Sequence, residues 1–163
     1  MATASPVAAP ELASEPDVPE IGRVADFGES ALGAALGAVG DRWSLAVVAQ
    51  LTRGPQRFND LAGALAPIAR TVLSDRLRRL EESGVLAKRQ YSSAPVRCNY
   101  RLTVAGAELA RVCGVLADWA SRHMLEGEVG LLHRGCAGTV MPAWRCDTCG
   151  PVPSREVLDT TMP

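Results

Sequence analysis

Apolar positions along the chain fall into helical stripes separated by short breaks of glycine, proline and polar residues. Residues 1–22 show no period, and Pro6, Pro10, Pro16 and Pro19 interrupt any helix, so a disordered acidic Ala/Pro-rich arm is expected there. From Ala25 to Val39 the apolar residues Phe27, Leu32, Leu36 and Val39 recur at helical spacing. Asp41 can cap a second helix from Arg42 to Leu51, with Leu45, Val48 and Leu51 on one face and Gly54-Pro55 as its stop. Asn59 can cap a short helix from Asp60 to Leu65, which Ala66-Pro67 ends. The next helix runs from Ala69 to Ser83 on a stripe of Leu73, Leu77 and Leu80, and Gly84 closes it.

A β-hairpin follows. Val85 to Tyr91 and Arg97 to Leu102 read as its strands, with Ser92-Ser93-Ala94-Pro95 as the tip. Thr103 can cap a long helix from Val104 to about Met124, lined by Leu109, Val112, Leu116, Trp119 and Met124. Val115 and Ala120 widen that stripe beyond the needs of one small core, which predicts a second buried face against a partner subunit. Two short helices around a tight break, the second rich in arginine and followed by a hairpin, define a helix-turn-helix with a wing. The expected fold is therefore mainly α with a small β-hairpin wing over residues 23–126, plus a small Cys/His extension over residues 127–163.

Composition changes this picture through its distribution. The 163 residues carry 17 basic and 18 acidic side chains, a net charge of −1, which discourages a uniformly basic nucleic-acid binder. Counted by segment, Arg42 to Arg101 holds eleven basic residues against four acids, a net +7, whereas residues 1–20 hold acids and no Lys or Arg. With the leucine stripe inward, Thr71, Asp75, Arg78 and Glu82 point outward, flanked by Arg70, Ser74 and Arg79. The candidate DNA contacts are Arg70, Thr71, Ser74, Asp75, Arg78 and Arg79 on this helix, Arg57 before the short helix, and Arg89 and Arg97 beside the hairpin tip. The plainer alternative is a solvated face of helical ion pairs such as Asp75–Arg79 and Arg78–Glu82.

At these residues the chain resembles a known family. Gly40-Asp41-Arg42-Trp43-Ser44-Leu45, the run Gly54 to Leu61, the run Leu73 to Leu86 and Tyr100 to Gly106 together are similar to the HxlR-type winged-helix transcriptional regulators, relatives of the MarR group. The resemblance covers residues 28 to 124 and implies a homodimeric DNA-binding repressor or activator, with repressor the expected sign here and terminal helices in the dimer interface. Redox-sensing members carry a cysteine in the first helix, where Ser30 stands here, and a serine cannot form a thiolate or disulfide. Ala69 stands where the family often has a capping serine, which leaves Arg70 or Thr71 to organise the helix start.

The C-terminal extension carries different chemistry. His133, Cys136, Cys146 and Cys149 form the pattern H-x2-C-x9-C-x2-C, which suits a structural tetrahedral Zn²⁺ site, with Gly135, Gly138 and Gly150 beside the ligands. The alternatives are free thiols or a Cys146–Cys149 redox pair. Cys98, Cys113 and the lone His123 are expected to be structural. Five cysteines do not close a disulfide framework, no apolar run reaches bilayer length and no secretory leader is visible, so the expected location is the cytoplasm, at the nucleoid. The motifs of serine hydrolases, P-loop proteins, zinc proteases and zinc deaminases are missing, so no enzyme is expected. The expected partners are double-stranded DNA and a second copy, with a small-molecule effector left open and no membrane. A protein-interaction adaptor, or a thiol/zinc redox sensor, on the same winged helix is the alternative function.

Overall fold

The computed structural model describes residues 30–94, 96–125, 132–133, 135–140 and 142–153. The acidic arm and Phe27 lie outside the described residues. The elements are α1 (Ala31–Val39), α2 (Arg42–Leu51), α3 (Phe58–Ala64), α4 (Arg70–Glu82), β1 (Leu86–Ser93), β2 (Val96–Leu102), α5 (Val104–His123), β3 (Trp144–Cys146) and β4 (Gly150–Val152).

One apolar core joins the helices. Val47, Val48 and Leu51 of α2, Leu61 of α3, Leu73, Leu77 and Leu80 of α4, and Leu86 of β1 are all buried. Each such side chain contributes about 1.5–3 kcal/mol through removal from water. The α1 and α2 axes meet at 81°, so the chain turns sharply just before the Asp41 cap. There Trp43 N–H and Ser44 N–H donate to Asp41 Oδ1 at 3.0 and 3.1 Å, and the Ser44 hydroxyl donates to Oδ2 at 2.5 Å. Arg76 Nε of α4 lies 3.3 Å from the same carboxylate, which ties α4 to the start of α2.

β1 and β2 pair antiparallel from Leu86↔Leu102 to Ser93↔Val96, with a bulge between Gln90 and Ser92. Gln56 bridges Tyr100, with backbone bonds of 3.0 and 2.8 Å, so the segment before α3 lies along the hairpin as a third short edge. Thr103 then starts α5: its hydroxyl accepts from Gly106 N–H at 3.1 Å and also contacts the carbonyl oxygens of Gly84 and Val85. Gly106 must be small, because a Cβ there would sit 2.0 Å from the Val85 carbonyl oxygen.

Several expectations need correction. Asn59 does not cap α3; Arg57 occupies that position and its N–H donates to the Asp60 carboxylate, so Asn59 falls inside the helix. β1 runs on to Ser93 and β2 starts at Val96, because the bulge lets the strands pair through most of the expected tip. Ser30 is the buried cap of α1, its Oγ accepting from Gly33 N–H at 3.0 Å. The expected α5 stripe is split: Leu109, Ala110 and Cys113 meet the core, whereas Val112, Leu116, Trp119 and Met124 are exposed. Asp118, unremarkable in sequence, is buried and accepts from Arg122 at 2.7 and 3.2 Å.

Burial opposes ionisation of Asp41, but the Ser44 bonds, the Arg76 charge and the Trp43 bond outweigh it, and the pKa falls below the ordinary aspartate value. The folded state therefore favours the carboxylate, whose contribution is full above the unfolded pKa and lost as the pH falls through the lowered folded value. Asp41→Ala is expected to cost about 1–2 kcal/mol at neutral pH. Urea unfolding at a series of pH values should show that deficit shrinking at acid pH.

Candidate nucleic-acid interface

The leucine stripe of α4 faces the core, so its opposite side meets solvent. Thr71, Ser74, Arg78 and Arg79 are exposed there, and Asp75 is half-buried among arginines. Asp75 Oδ1 lies 2.9 Å from Arg78 Nη2, and Asp75 Oδ2 lies 3.0 Å from Arg79 Nε and 3.7 Å from Arg76 Nη1. Arg78 Nη1 also donates to Glu82 at 2.7 Å. The Arg78 hydrogen bond, followed by the surrounding guanidinium charges, holds the Asp75 carboxyl below its usual pKa. The same bonds to Asp75 and Glu82 raise the Arg78 pKa, so Arg78 and Asp75 are both charged at neutral pH. The expected ion-pair face and the candidate contact face are thus one surface.

Arg70 is the first residue of α4. With Ala69 as a cap that offers no side-chain bond, its guanidinium instead donates to Asn59 Oδ1 and lies 5.2 Å from the Phe58 ring centroid. It therefore fixes the approach of α4 to α3. Arg57 lies 5.2 Å over the Tyr91 ring, and an open hollow between α3 and the wing is lined by Arg57, Phe58, Asn59, Tyr91, Arg97 and Cys98. Two guanidinium groups bordering one hollow suit phosphate oxygens. Arg89 is exposed on β1 opposite Asn99.

The structure thus collects Arg57 and Arg97 at one end of the wing and Thr71, Ser74, Arg78 and Arg79 along α4. It adds Phe58, Asn59 and Tyr91, which sequence reasoning did not assign to the interface. Their signal was the interleaving of aromatic residues with arginine at Arg57-Phe58 and Arg89-Gln90-Tyr91.

The four Cys/His candidates in the extension form two pairs. His133 Nδ1 lies 3.2 Å from Cys136 Sγ, and Cys146 accepts hydrogen bonds from Cys149 and Thr148, which lower its pKa. Among the described residues no three His, Cys, Asp or Glu side chains come together as a metal cluster. Cys113 is half-buried in α5, and desolvation raises its pKa. His123 is exposed at the end of α5, with its ring centroid 5.9 Å from that of Trp119.

A helix-turn-helix whose second helix presents arginine beside a two-stranded wing is the architecture of winged-helix transcriptional regulators. Residues 38–128 match the HxlR-like helix-turn-helix family. The HTH-type transcriptional regulator Rv3095 of Mycobacterium tuberculosis is 40% identical over 126 residues, covering 76% of this chain and 78% of that protein. The reduced form of the transcriptional regulator YodB from Bacillus subtilis superposes with a TM-score of 0.53 at 27% identity, covering 60% of this chain and 95% of that one. The redox regulator HypR in its reduced form gives a TM-score of 0.55 at 26% identity over 61% of this chain and all of its own. The chain belongs to the HxlR-like helix-turn-helix family, and it is a transcriptional regulator. No single helix among the described residues is long and apolar enough to cross a membrane.

Asp75 gives a direct handle on this surface. Asp75→Asn removes the carboxylate shared by Arg78 and Arg79, and affinity for a random duplex should rise. If both arginines then meet phosphates, the slope of log K against log salt should steepen by about two. Fluorescence anisotropy across a salt series reads this, and an unchanged slope would exclude that competition.

Proposed function

We propose that the protein is a homodimeric, sequence-specific DNA-binding repressor. The outward face of α4 reads base edges in the major groove, and the wing grips flanking phosphates. The observation that carries this reading is the burial of Leu73, Leu77 and Leu80, which leaves Thr71, Ser74 and Arg78 on the open face beside Arg57 and Arg97. In this reading Arg78 exchanges its Asp75 and Glu82 partners for guanine, Thr71 and Ser74 reach bases or phosphate, and Asp75 is free to accept from cytosine. Arg70 acts mainly by positioning α4. Arg89 and Arg97 meet the backbone or minor groove beside the wing.

The dimer reading rests on α5. Val112, Leu116 and Trp119 are 61%, 50% and 47% exposed on a single copy, and Leu36 of α1 is 45% exposed. A helix face this apolar matches the second buried side expected for a partner subunit. A dimer seated across a promoter excludes other proteins from the same DNA, which makes repression the expected sign. Such a regulator acts in the cytoplasm, where the DNA is.

A second reading, redox sensing, draws on the redox regulator HypR as a structural neighbour. In this chain it would act through Cys136, Cys146 and Cys149, since Ser30 has no thiol.

The test is a titration of the protein into labelled duplex from its own promoter region. Salt-sensitive binding at nanomolar to micromolar protein is expected, and Arg78→Ala should lose about 1–3 kcal/mol on the specific site and less on random DNA. Leu116→Glu should sediment as a monomer and lose the specific complex, with helix content by circular dichroism unchanged. A wild-type monomer, or binding indifferent to salt, would overturn the proposal.

A further inference from the structure

The described residues of the C-terminal extension lie outside the helix-turn-helix elements, and they form two turns that are built alike. In the first, His133 N–H donates to the Gly138 carbonyl at 2.8 Å, and the N–H groups of Cys136 and Ala137 donate to the His133 carbonyl at 3.3 and 2.8 Å. Leu132 and Thr139 bridge across its base. In the second, Cys146 pairs with Gly150 in the β3–β4 hairpin.

In both turns the residue after the last cysteine has positive φ: Ala137 at 54° and Gly150 at 88°. Ala137 is the one non-glycine residue in that region among the described residues. An L-residue there costs about 1–2 kcal/mol, so the turn needs a compensating interaction. Space is also reserved around the ligand atoms. A Cβ on Gly135 would lie 3.0 Å from the His133 ring, and one on Gly138 would lie 3.3 Å from the Cys136 sulfur.

A nitrogen and a sulfur bound to one tetrahedral Zn²⁺ lie about 3.6 Å apart, from bond lengths of about 2.05 and 2.3 Å. His133 Nδ1 and Cys136 Sγ, at 3.2 Å, are within a few tenths of that spacing. Three thiolates and an imidazole suit zinc and disfavour the hard cations, which prefer oxygen. Among the described residues the two pairs stand apart, and around them Leu132, Val140 and Trp144 are 48%, 40% and 48% exposed. None of the described residues of this segment is buried, so no apolar core among them holds the hairpins together, and a bound ion would supply that link.

We propose that His133, Cys136, Cys146 and Cys149 bind one Zn²⁺ in a closed, structural site that draws the two hairpins onto the ion. On binding, the three thiols release their protons to solvent and His133 coordinates as neutral imidazole through Nδ1. All four positions are filled by protein, which leaves none for a substrate. The site is independent of DNA recognition, so either can fail alone.

Elemental analysis of the full chain, purified reduced and without chelator, should give about one zinc per chain. Cys136→Ser and Cys146→Ser should each lose most of it, and Cys98→Ser should keep it. Cobalt(II) added to the chelator-stripped wild type should give the intense visible absorption of a tetrahedral thiolate site, with a sulfur-to-metal charge-transfer band that weakens in each ligand variant. The cobalt spectrum keeps the test valid where a variant folds poorly. Less than about half an equivalent of zinc without a tetrahedral cobalt spectrum would overturn the proposal. So would full metal retention in Cys136→Ser, or a Cys146–Cys149 disulfide in freshly purified zinc-free protein.

Discussion

Burial of Leu73, Leu77 and Leu80 is the constraint on which the rest of the structure depends. Three leucines on one α4 face leave the helix one way to dock against α2 and α3, and each is worth about 2–5 kcal/mol if cut to alanine. Exposed ion pairs contribute at most about 1 kcal/mol each, so the charges of α4 cannot choose its orientation. They take the face that the leucines leave. The Asp41–Arg76 contact then fixes α4 against the start of α2, and Thr103 with Gly106 seats α5 on the turn that ends α4.

The charge on this frame is partly self-neutralised. Arg78 and Arg79 share Asp75, and Arg78 also holds Glu82, so phosphates must compete with internal carboxylates for these guanidinium groups. In the proposed DNA complex that competition lowers affinity for any duplex, and bidentate base contacts recover it only at matching sites. Arg57 and Arg97 have no such acidic neighbour in the hollow they line, which suits them to sequence-independent grip. The overall charge of −1 concealed this division because the acidic residues lie largely outside the +7 segment.

Local signals in the sequence carried most of the helical frame. Asp41 capping α2, the α4 stripe, Gly84 and Thr103 are all short-range features, and each stands where the pattern predicts. The departures come from long-range contacts. The bulge in β1 that extends the hairpin depends on pairing with β2, and Arg70 turns toward Asn59 and Phe58, eleven or more residues earlier in the chain. The α5 residues Val112, Leu116 and Trp119 have core-like chemistry, but the core is already filled by Leu109, Ala110 and Cys113 from the adjacent face. Periodicity shows that a residue seeks burial without naming the surface that buries it. In the extension, spacing singled out the four Cys/His candidates, while the left-handed Ala137 became visible only in three dimensions.

Selection of bound sequences from random duplex DNA tests the central claim most directly, because it reads the α4 face and the α5 dimer together. The account predicts enrichment of a palindrome whose half-sites lie about 10 base pairs, or one helical turn, apart, with the consensus degraded by Arg78→Ala. Recovery of random sequence, or of a single unrepeated half-site, would contradict it.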